Sequence, residues 1–394
     1  MANSASRGFV IFQPARVAWM GHGGTTIMSA KNKHLVVCRM VPTVAIVALI
    51  TLLAGCTSAK PVSADTELPP GGVLLTGAGS SFDALLFKRW FTVYHDTHPS
   101  ILIKYAPVGS GEGVRRFIGT NIPEDQAIDF GASDAAMSDA ELAQTNNNTL
   151  MVPVTSACVV LAYNLPNFHG ELKLSRQAYA GIFLGEIKNW NDPIIAKSNP
   201  GIKLPNYTIV TVVRQDNSGT TFAFTNNLAA VSDRWRSLFG PAMLVNWPGN
   251  AMRANGSEGV ASLIQKSEGS IGYAGYEFAS RLGLDMAALE NKEGNFVQPS
   301  QQTCEDGLAH ANLPENLRAF VPDPAGADSY PIVTFSWALL RKGYKDQVAT
   351  PLRDLFRWCL QDGQRYASQL GYVPLPEPVV QKALAAVNGI SPGG

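Results

Sequence analysis

The sequence predicts an α/β protein of two lobes with a ligand cleft between them. Three observations carry this. Short β-branched runs alternate with stretches whose apolar residues recur at helical spacing. Two long apolar runs, MVPVTSACVVLAYNLP and YPIVTFSWALLRK, are placed so that each can cross between lobes. Four segments repeat one design, a strand followed by small residues and then a helix start that bears Ser or Thr. With 394 residues, 46% hydrophobic and 16% charged, the chain is long enough for two such lobes, and neither an internal repeat nor a low-complexity tract suggests another architecture.

The elements follow in order. The run 41–54 (VPTVAIVALITLLA) is uncharged, follows Lys31, Lys33, His34 and Arg39, and is shorter than the ~20 residues a membrane-spanning helix needs. It reads as the core of a signal peptide occupying 1–55, of which residues 1–27 supply nothing such a segment requires; Met28 or Met40 can be the true start. Its end, Leu53-Ala54-Gly55-Cys56, resembles a bacterial lipobox, in which the cysteine carries lipid and becomes the first residue of the mature chain. Residues 56–72, rich in Ser, Ala and Pro, form a flexible tether. Folding is expected from Val73.

The rhythm then reads VLLTG and SSFDALLFKRWFTVYHD, ILIKYAPVG and EGVRRFIG, AIDFGASD and AELAQ, with Phe82, Leu85, Leu86, Trp90, Val93 and Tyr94 as core positions of the first helix. If both apolar runs cross, the chain leaves the first lobe and returns to it. One lobe then comprises 73–158 plus 332–394, the other 159–331, and the second run, the last that reads as a strand, precedes the helix PLRDLFRWCLQDGQRYASQLG. Cys158, Cys304 and Cys359 are an odd set without a CxxC pair, so they are expected as free, buried thiols rather than a metal knuckle or a disulfide framework.

Charge excludes one function class. All five basic residues before Cys56 stand in a stretch without Asp or Glu, and from Cys56 onward 26 basic residues face 31 acidic ones, a net of −5. A slightly acidic body lacks the basic face that nucleic acid requires. An anion site must rely on local donors instead.

The four repeated segments supply them: TGAGSSF (76–82), VGSGEG (108–113), GASD (131–134) and NSGTT (217–221). Glycine admits a ligand close to the backbone, hydroxyls donate, and unpaired N–H groups at a helix start favour an anion. Each alone reads more readily as an N-cap, and it is the recurrence of four after strands that favours an anion site; Ser138 with Glu141 is a capping box of purely structural meaning. Arg214, four residues before Ser218, offers a guanidinium fork, which Asp216 can orient. Asp134 in an anion site repels its ligand unless the ligand brings a proton; hydrogen phosphate does, and sulfate near neutral pH does not.

With these residues on the page, the sequence resembles the phosphate-binding proteins of the Pst-type phosphate ABC transporter over nearly all of 74–390. The stretches that carry the resemblance are TGAGSSF, VGSGEGV, DFGASDAAMSD, LGEIKNWNDPIIAKSNPGIKLP, VVRQDNSGTTFAFTNNLA and GSIGYAGYEFA. It implies a type II periplasmic-binding-protein fold, two α/β lobes closing on dehydrated phosphate, with no cofactor and no metal, in a monomer that serves membrane permease subunits. Carried over by position, Ser81 and Phe82 supply amides and the Ser81 hydroxyl, Ser110 donates, and Asp134 accepts the phosphate proton. Arg214, Ser218, Gly219 and Thr220 close from the other lobe, with Asp216 holding the arginine. Ser81 stands where a common family sequence has Thr, and Gln215, in place of a small or basic residue, is expected to face away.

Rival functions stay on the table. An enzyme acting on phosphate esters would use Ser110, Ser133 or Ser218 as nucleophile, yet none of the six histidines (His22, His34, His95, His98, His169, His310) stands beside a serine motif to serve as base. Sulfate, molybdate or tungstate binders share the fold, and Asp134 speaks against them. A surface lipoprotein that senses phosphate or adheres would use the same residues.

Overall fold

The computed structural model describes residues 68–309, 311 and 313–393. The apolar run 41–54, Cys56, the first part of the tether and His310 lie outside the described residues. Regular structure begins at Val73, as the sequence predicts. β1 (Val73–Gly79) leads to α1 (Ala84–Thr97), whose buried Leu86, Phe87, Trp90, Phe91 and Tyr94 recur three and four apart and form one face. Of the other expected core positions Phe82 is buried, whereas Leu85 and Val93 are partly buried and packed against the core. β2 (Ile101–Ala106) and β3 (Phe130–Ser133) flank β1 in parallel, with α2 (Ser110–Ile118) between them in sequence. α3 (Asp139–Gln144) starts on the expected capping box: Ser138 Oγ accepts from Glu141 N at 3.3 Å, and Glu141 Oε2 accepts from Ser138 N at 2.7 Å.

β4 (Thr149–Asn164) is the first crossing run. Beyond it come β5 (Lys173–Leu174), α4 (Arg176–Phe183), α5 (Pro193–Ser198), β6 (Val210–Arg214) and α6 (Gly219–Val231). α7 (Asp233–Leu238), β7 (Met252–Ala254), α8 (Gly256–Lys266), β8 (Ser270–Gly275) and α9 (Tyr276–Arg281) follow. The short strands β9 (Asp285–Met286), β10 (Ala288–Glu290) and β11 (Phe296–Val297) lead into α10 (Gln301–Ala309). The second crossing run is β12 (Val333–Arg341). β13 (Gly343–Tyr344), α11 (Asp346–Leu360), α12 (Gln364–Gln369), α13 (Glu377–Asn388) and β14 (Ser391–Pro392) complete the described chain. The helix expected after the second crossing run is thus two: α11 begins five residues ahead of Pro351, which it tolerates inside, and the chain breaks before α12.

Among the described residues the main sheet runs β2-β1-β3-β12-β4-β8-β6-β7. β4 pairs with β12 as far as Cys158 and with β8 from Val159 onward. Each half is α/β, and the long strand belongs to both. Near its middle the ladder between β4 and β12 slips by one residue, between Ser336 and Trp337 opposite Pro153 and Thr155. The bulge accommodates a proline in a central strand, and bulges of this kind re-aim side chains.

The cysteine expectation needs correction. Cys158 and Cys304 form a disulfide that joins β4 to α10 across 146 residues, with Cα atoms 5.7 Å apart. Only Cys359 is a free, buried thiol among the described residues. Pairing depends on proximity in space, which an odd count and wide spacing in sequence do not reveal.

Candidate functional site

The parallel strands β1, β2, β3, β6 and β7 all end on one region, and each is followed by a small-residue loop or a helix start. Ligand crevices of open α/β sheets form at such carboxyl ends. Here they bring together residues that are far apart in sequence.

Arg214 ends β6 and is only 3% exposed. Its Nε donates to Asp216 Oδ1 at 2.8 Å and its Nη2 to Asp216 Oδ2 at 2.5 Å, a bidentate pair. Nη2 also donates to Ser81 Oγ at 3.0 Å, from one half of the molecule to the other. Burial alone would raise the Asp216 carboxyl, but the hydrogen bond and charge of Arg214 and the Gly256 amide outweigh it and hold the group below its usual range.

Asp134, just after β3, is 2% exposed. Its Oδ1 accepts from Ser80 Oγ at 2.5 Å and lies 2.9 Å from Ser336 Oγ, while its Oδ2 accepts from Thr220 Oγ1 at 3.2 Å. Burial pushes this carboxyl up; the hydroxyls of Ser80 and Ser336, the charge of Arg214 and the Thr220 hydroxyl pull it back only in part.

Three of the expected hydroxyls act as acceptors inside the protein. Ser110 Oγ accepts from Asp134 N at 3.3 Å, Ser218 Oγ caps α6 by accepting from Thr221 N at 3.1 Å, and Ser81 Oγ accepts from Arg214 and from Ser257 N at 3.0 Å. A hydroxyl that accepts still owns a proton to donate. The N-cap reading and the anion reading are therefore compatible at Ser218. Phe82 N donates to Ser80 Oγ at 3.1 Å, so its amide is already engaged locally. Gly219 opens α6 against Ser110 and Asp134: a Cβ there would lie 2.7 Å from Ser110 Oγ and 2.8 Å from Asp134 N, so only glycine fits. Gly109, at φ +94°, likewise leaves no room beside Asp216 Oδ2.

All the expected site residues in the described region thus gather in one place. Gln215 is exposed, as expected. Ser133, one of the candidate nucleophiles, donates instead to Ala135 O at 2.6 Å. No described histidine is a hydrogen-bond partner of Ser110, Ser133 or Ser218; His95 faces Ile101 O and His98 stacks on Tyr94. Among the described residues no group of His, Cys, Asp and Glu is arranged to hold a metal ion.

Four residues escaped the sequence reading. Ser257 is buried, its Oγ lies 3.2 Å from Ser81 Oγ, and it accepts a long bond from Arg214 Nη1 at 3.4 Å. Asn255-Gly256-Ser257 follows β7 and opens α8, a fifth instance of the strand, small residue and helix-start design, so a signal was present. Asp83, Glu277 and Ser336 are buried around Asp134 without any such motif. A recess of about 290 Å³ lined by Ser81, Leu85, Pro107, Asn255, Ser257 and Phe278 opens beside the cluster.

Comparison with known proteins agrees with this geometry. The family model of the PBP superfamily domain matches residues 57–362. The phosphate-binding protein PstS of Pasteurella multocida is 39% identical over 315 residues, which cover 79% of this chain and 89% of that one. PstS of Methanocaldococcus jannaschii is 32% identical over 378 residues, covering 90% and 94%. Among solved structures, a high-affinity periplasmic phosphate-binding protein with bound phosphate is similar in fold, with a TM-score of 0.65 at 20% identity over 79% of this chain and 93% of that one.

Proposed function

The chain belongs to the phosphate-binding PstS family within the periplasmic-binding-protein superfamily, and from that premise we propose that it captures inorganic phosphate between two lobes and hands it to the membrane subunits of an ABC importer. The lobes are taken as 73–158 plus 332–394 and 159–331, a division favoured by the change of pairing partner along β4 after Cys158. Ser81, Phe82, Ser110 and Asp134 act from the first lobe, and Arg214, Ser218, Gly219 and Thr220 from the second, with Asp216 steadying the arginine. Ser257 joins the second set.

The observation that carries this reading is the meeting of Arg214 and Thr220 with Ser81 and Asp134. One buried guanidinium supplies charge, serine hydroxyls and the first amides of α6 supply donors, and one carboxylate supplies an acceptor. Tetrahedral hydrogen phosphate matches that inventory; an anion without a proton leaves its oxygen facing the Asp134 carboxylate with nothing between them. The protein acts by binding and release, not by bond cleavage: its relatives carry the names of binding proteins, and no histidine among the described residues is a hydrogen-bond partner of Ser110, Ser133 or Ser218. It works as a monomer outside the cytoplasmic membrane, and a lipid on Cys56 is the proposed anchor.

Calorimetric titration of phosphate and sulfate into the mature protein at fixed salt tests the assignment. Phosphate should bind, with sulfate weaker by up to about a hundredfold, since a mispaired buried group costs about 1–3 kcal/mol. Arg214→Ala should lose about 1.5–3 kcal/mol per charged hydrogen bond it forfeits to the anion. Asp134→Asn should weaken phosphate moderately and narrow the phosphate-to-sulfate ratio. A wild-type protein indifferent to phosphate, or an unaltered ratio in Asp134→Asn, would defeat the reading.

A further inference from the structure

Behind Asp134 lies a second buried carboxyl, Asp83, the residue before α1, with no exposed surface. Its Oδ2 is 2.7 Å from Ser336 Oγ, and the same Oγ is 2.9 Å from Asp134 Oδ1. A serine hydroxyl carries a single proton. It can donate to one of these carboxylates; a hydrogen bond to the other at that distance needs a proton from the acid itself. One of the two acids therefore holds a proton.

The surroundings decide which. Asp134 receives the hydroxyls of Ser80 and Thr220 as well as Ser336, and it feels the positive charge of Arg214. Asp83 shares the Ser336 hydroxyl but lacks the Thr220 hydroxyl and the charge of Arg214, and its Oδ1 has no hydrogen-bond partner among the described residues. A bare, ionised oxygen in a fully buried place is far more costly than the carbonyl oxygen of a neutral acid. The other titratable groups near the pair do not alter this. Tyr105, from β2, donates its hydroxyl to Ser80 O at 2.7 Å, and Tyr372, in the loop before α13, donates to Phe82 O at 2.5 Å, so both protons are committed. Glu277, from α9, is a third buried acid, pushed well up first by burial, and it brings no positive charge to the pair. Burial and then the charge of Asp134 likewise push Asp83 well above the usual carboxylate range, against the hydroxyls of Ser336 and Ser80.

We propose that Asp83 is a positioning residue for anion selectivity: it holds a proton, donates it to Ser336 Oγ, and so turns the Ser336 hydroxyl onto Asp134, keeping Asp134 the charged acceptor of the site. Ser336 stands beside the bulge, where β4 carries the extra residue Val154 between the pairs Ser336–Thr155 and Trp337–Pro153. Without Asp83, the hydroxyl is free to turn toward Ser133 O, 3.5 Å away. Asp134 then loses a donor, takes up a proton at a higher pH, and no longer rejects a fully ionised anion. This consequence rests on the phosphate reading above; the location of the proton does not.

Two arms test the proposal separately. In the first, the mature protein is labelled with carbon-13 at its aspartate carboxyl carbons and observed by NMR near neutral pH without added anion. One carboxyl should resonate as a protonated acid, disappear in Asp83→Asn and persist in Asp134→Asn. No protonated signal in the wild type, or a signal lost only in Asp134→Asn, overturns the proposal even if the Asp83 variant does not fold. In the second arm, phosphate-to-sulfate affinity ratios are measured against pH. Asp83→Ala should move the loss of selectivity upward by about one pH unit, the size of a lost hydrogen bond, and Asp83→Asn, which restores a donor to Ser336, should bring the profile back. An Asp83→Ala profile that stays in place, or an Asp83→Asn profile displaced as far as that of Asp83→Ala, refutes it. Failure of the wild type to bind phosphate would count against the function alone, and the first arm would still decide where the proton lies.

Discussion

Glu277 shows most simply what burial does to an acid in this protein. It is 2% exposed, and its Oε1 finds no partner. Burial is the largest cause that raises its carboxyl, with the charge of Asp134 acting the same way. A carboxyl whose folded pKa is raised binds more protons in the native than in the unfolded state, so its contribution is fully present below the unfolded value near 4.3 and fades as pH rises toward the folded one. Glu277→Gln, which keeps shape but never ionises, should therefore melt higher than wild type at pH 8 and converge with it toward pH 4. Melting curves across that range check the sign; a variant equally shifted at every pH would mean that packing, not protonation, governs the site. Motif reading could locate Arg214, Asp134 and Ser110, because they sit in strand-to-helix loops whose composition announces an anion site. It could not locate Glu277, Asp83 or Ser336. Their role comes from being buried beside one another, and in the sequence Ser336 is one more residue of an apolar strand.

At the scale of elements, the site exists because two parallel sets of strands, β1 with β2 and β3, and β6 with β7, run toward each other and are followed at their facing ends by small-residue loops and helix starts. That pattern was legible: periods of two and of 3.6 residues alternate, and Gly, Ser and Thr mark each switch. What was not legible was the covalent link between β4 and α10. Cys158 lies in a strand and Cys304 in a helix 146 residues later, and nothing local in either predicts their contact. The link restrains the region between the two crossing strands, since α10 precedes β12 and β4 opens the same lobe. Cross-linking so long a segment removes much of the unfolded chain's freedom, and loss of a native disulfide typically costs ~2–5 kcal/mol. A reductant should lower the melting temperature of the wild type and leave Cys304→Ser unaffected, because Cys359 is buried and unpaired. Thermal scans with and without reductant measure this, and an identical melting point in both would show that the bond restrains nothing that unfolds.

The whole molecule adds the question of how a binding protein stays near its importer. Its body carries a net charge of −5 from Cys56 onward, so it is repelled rather than drawn by anionic lipid. Among the described residues no helix is long and apolar enough to cross a membrane. The proposed lipid on Cys56 would supply attachment, since two acyl chains hold a protein stably where one does not. The tether 56–72 has the composition of a flexible chain, and a coil of that length spans roughly 20–25 Å on average. The proposed site residues, from Ser81 to Thr220, all lie beyond that segment in sequence. Anchor and site are thus separable. Cys56→Ser should abolish incorporation of radiolabelled palmitate, lower the membrane-bound fraction after a salt wash, and leave the affinity of the purified protein for phosphate at its wild-type value. Fatty-acid labelling is the decisive readout, because an unprocessed apolar run at 41–54 could still hold some of the variant at the membrane without any lipid. Palmitate on the Cys56→Ser protein, or none on the wild type, would show that the attachment lies elsewhere.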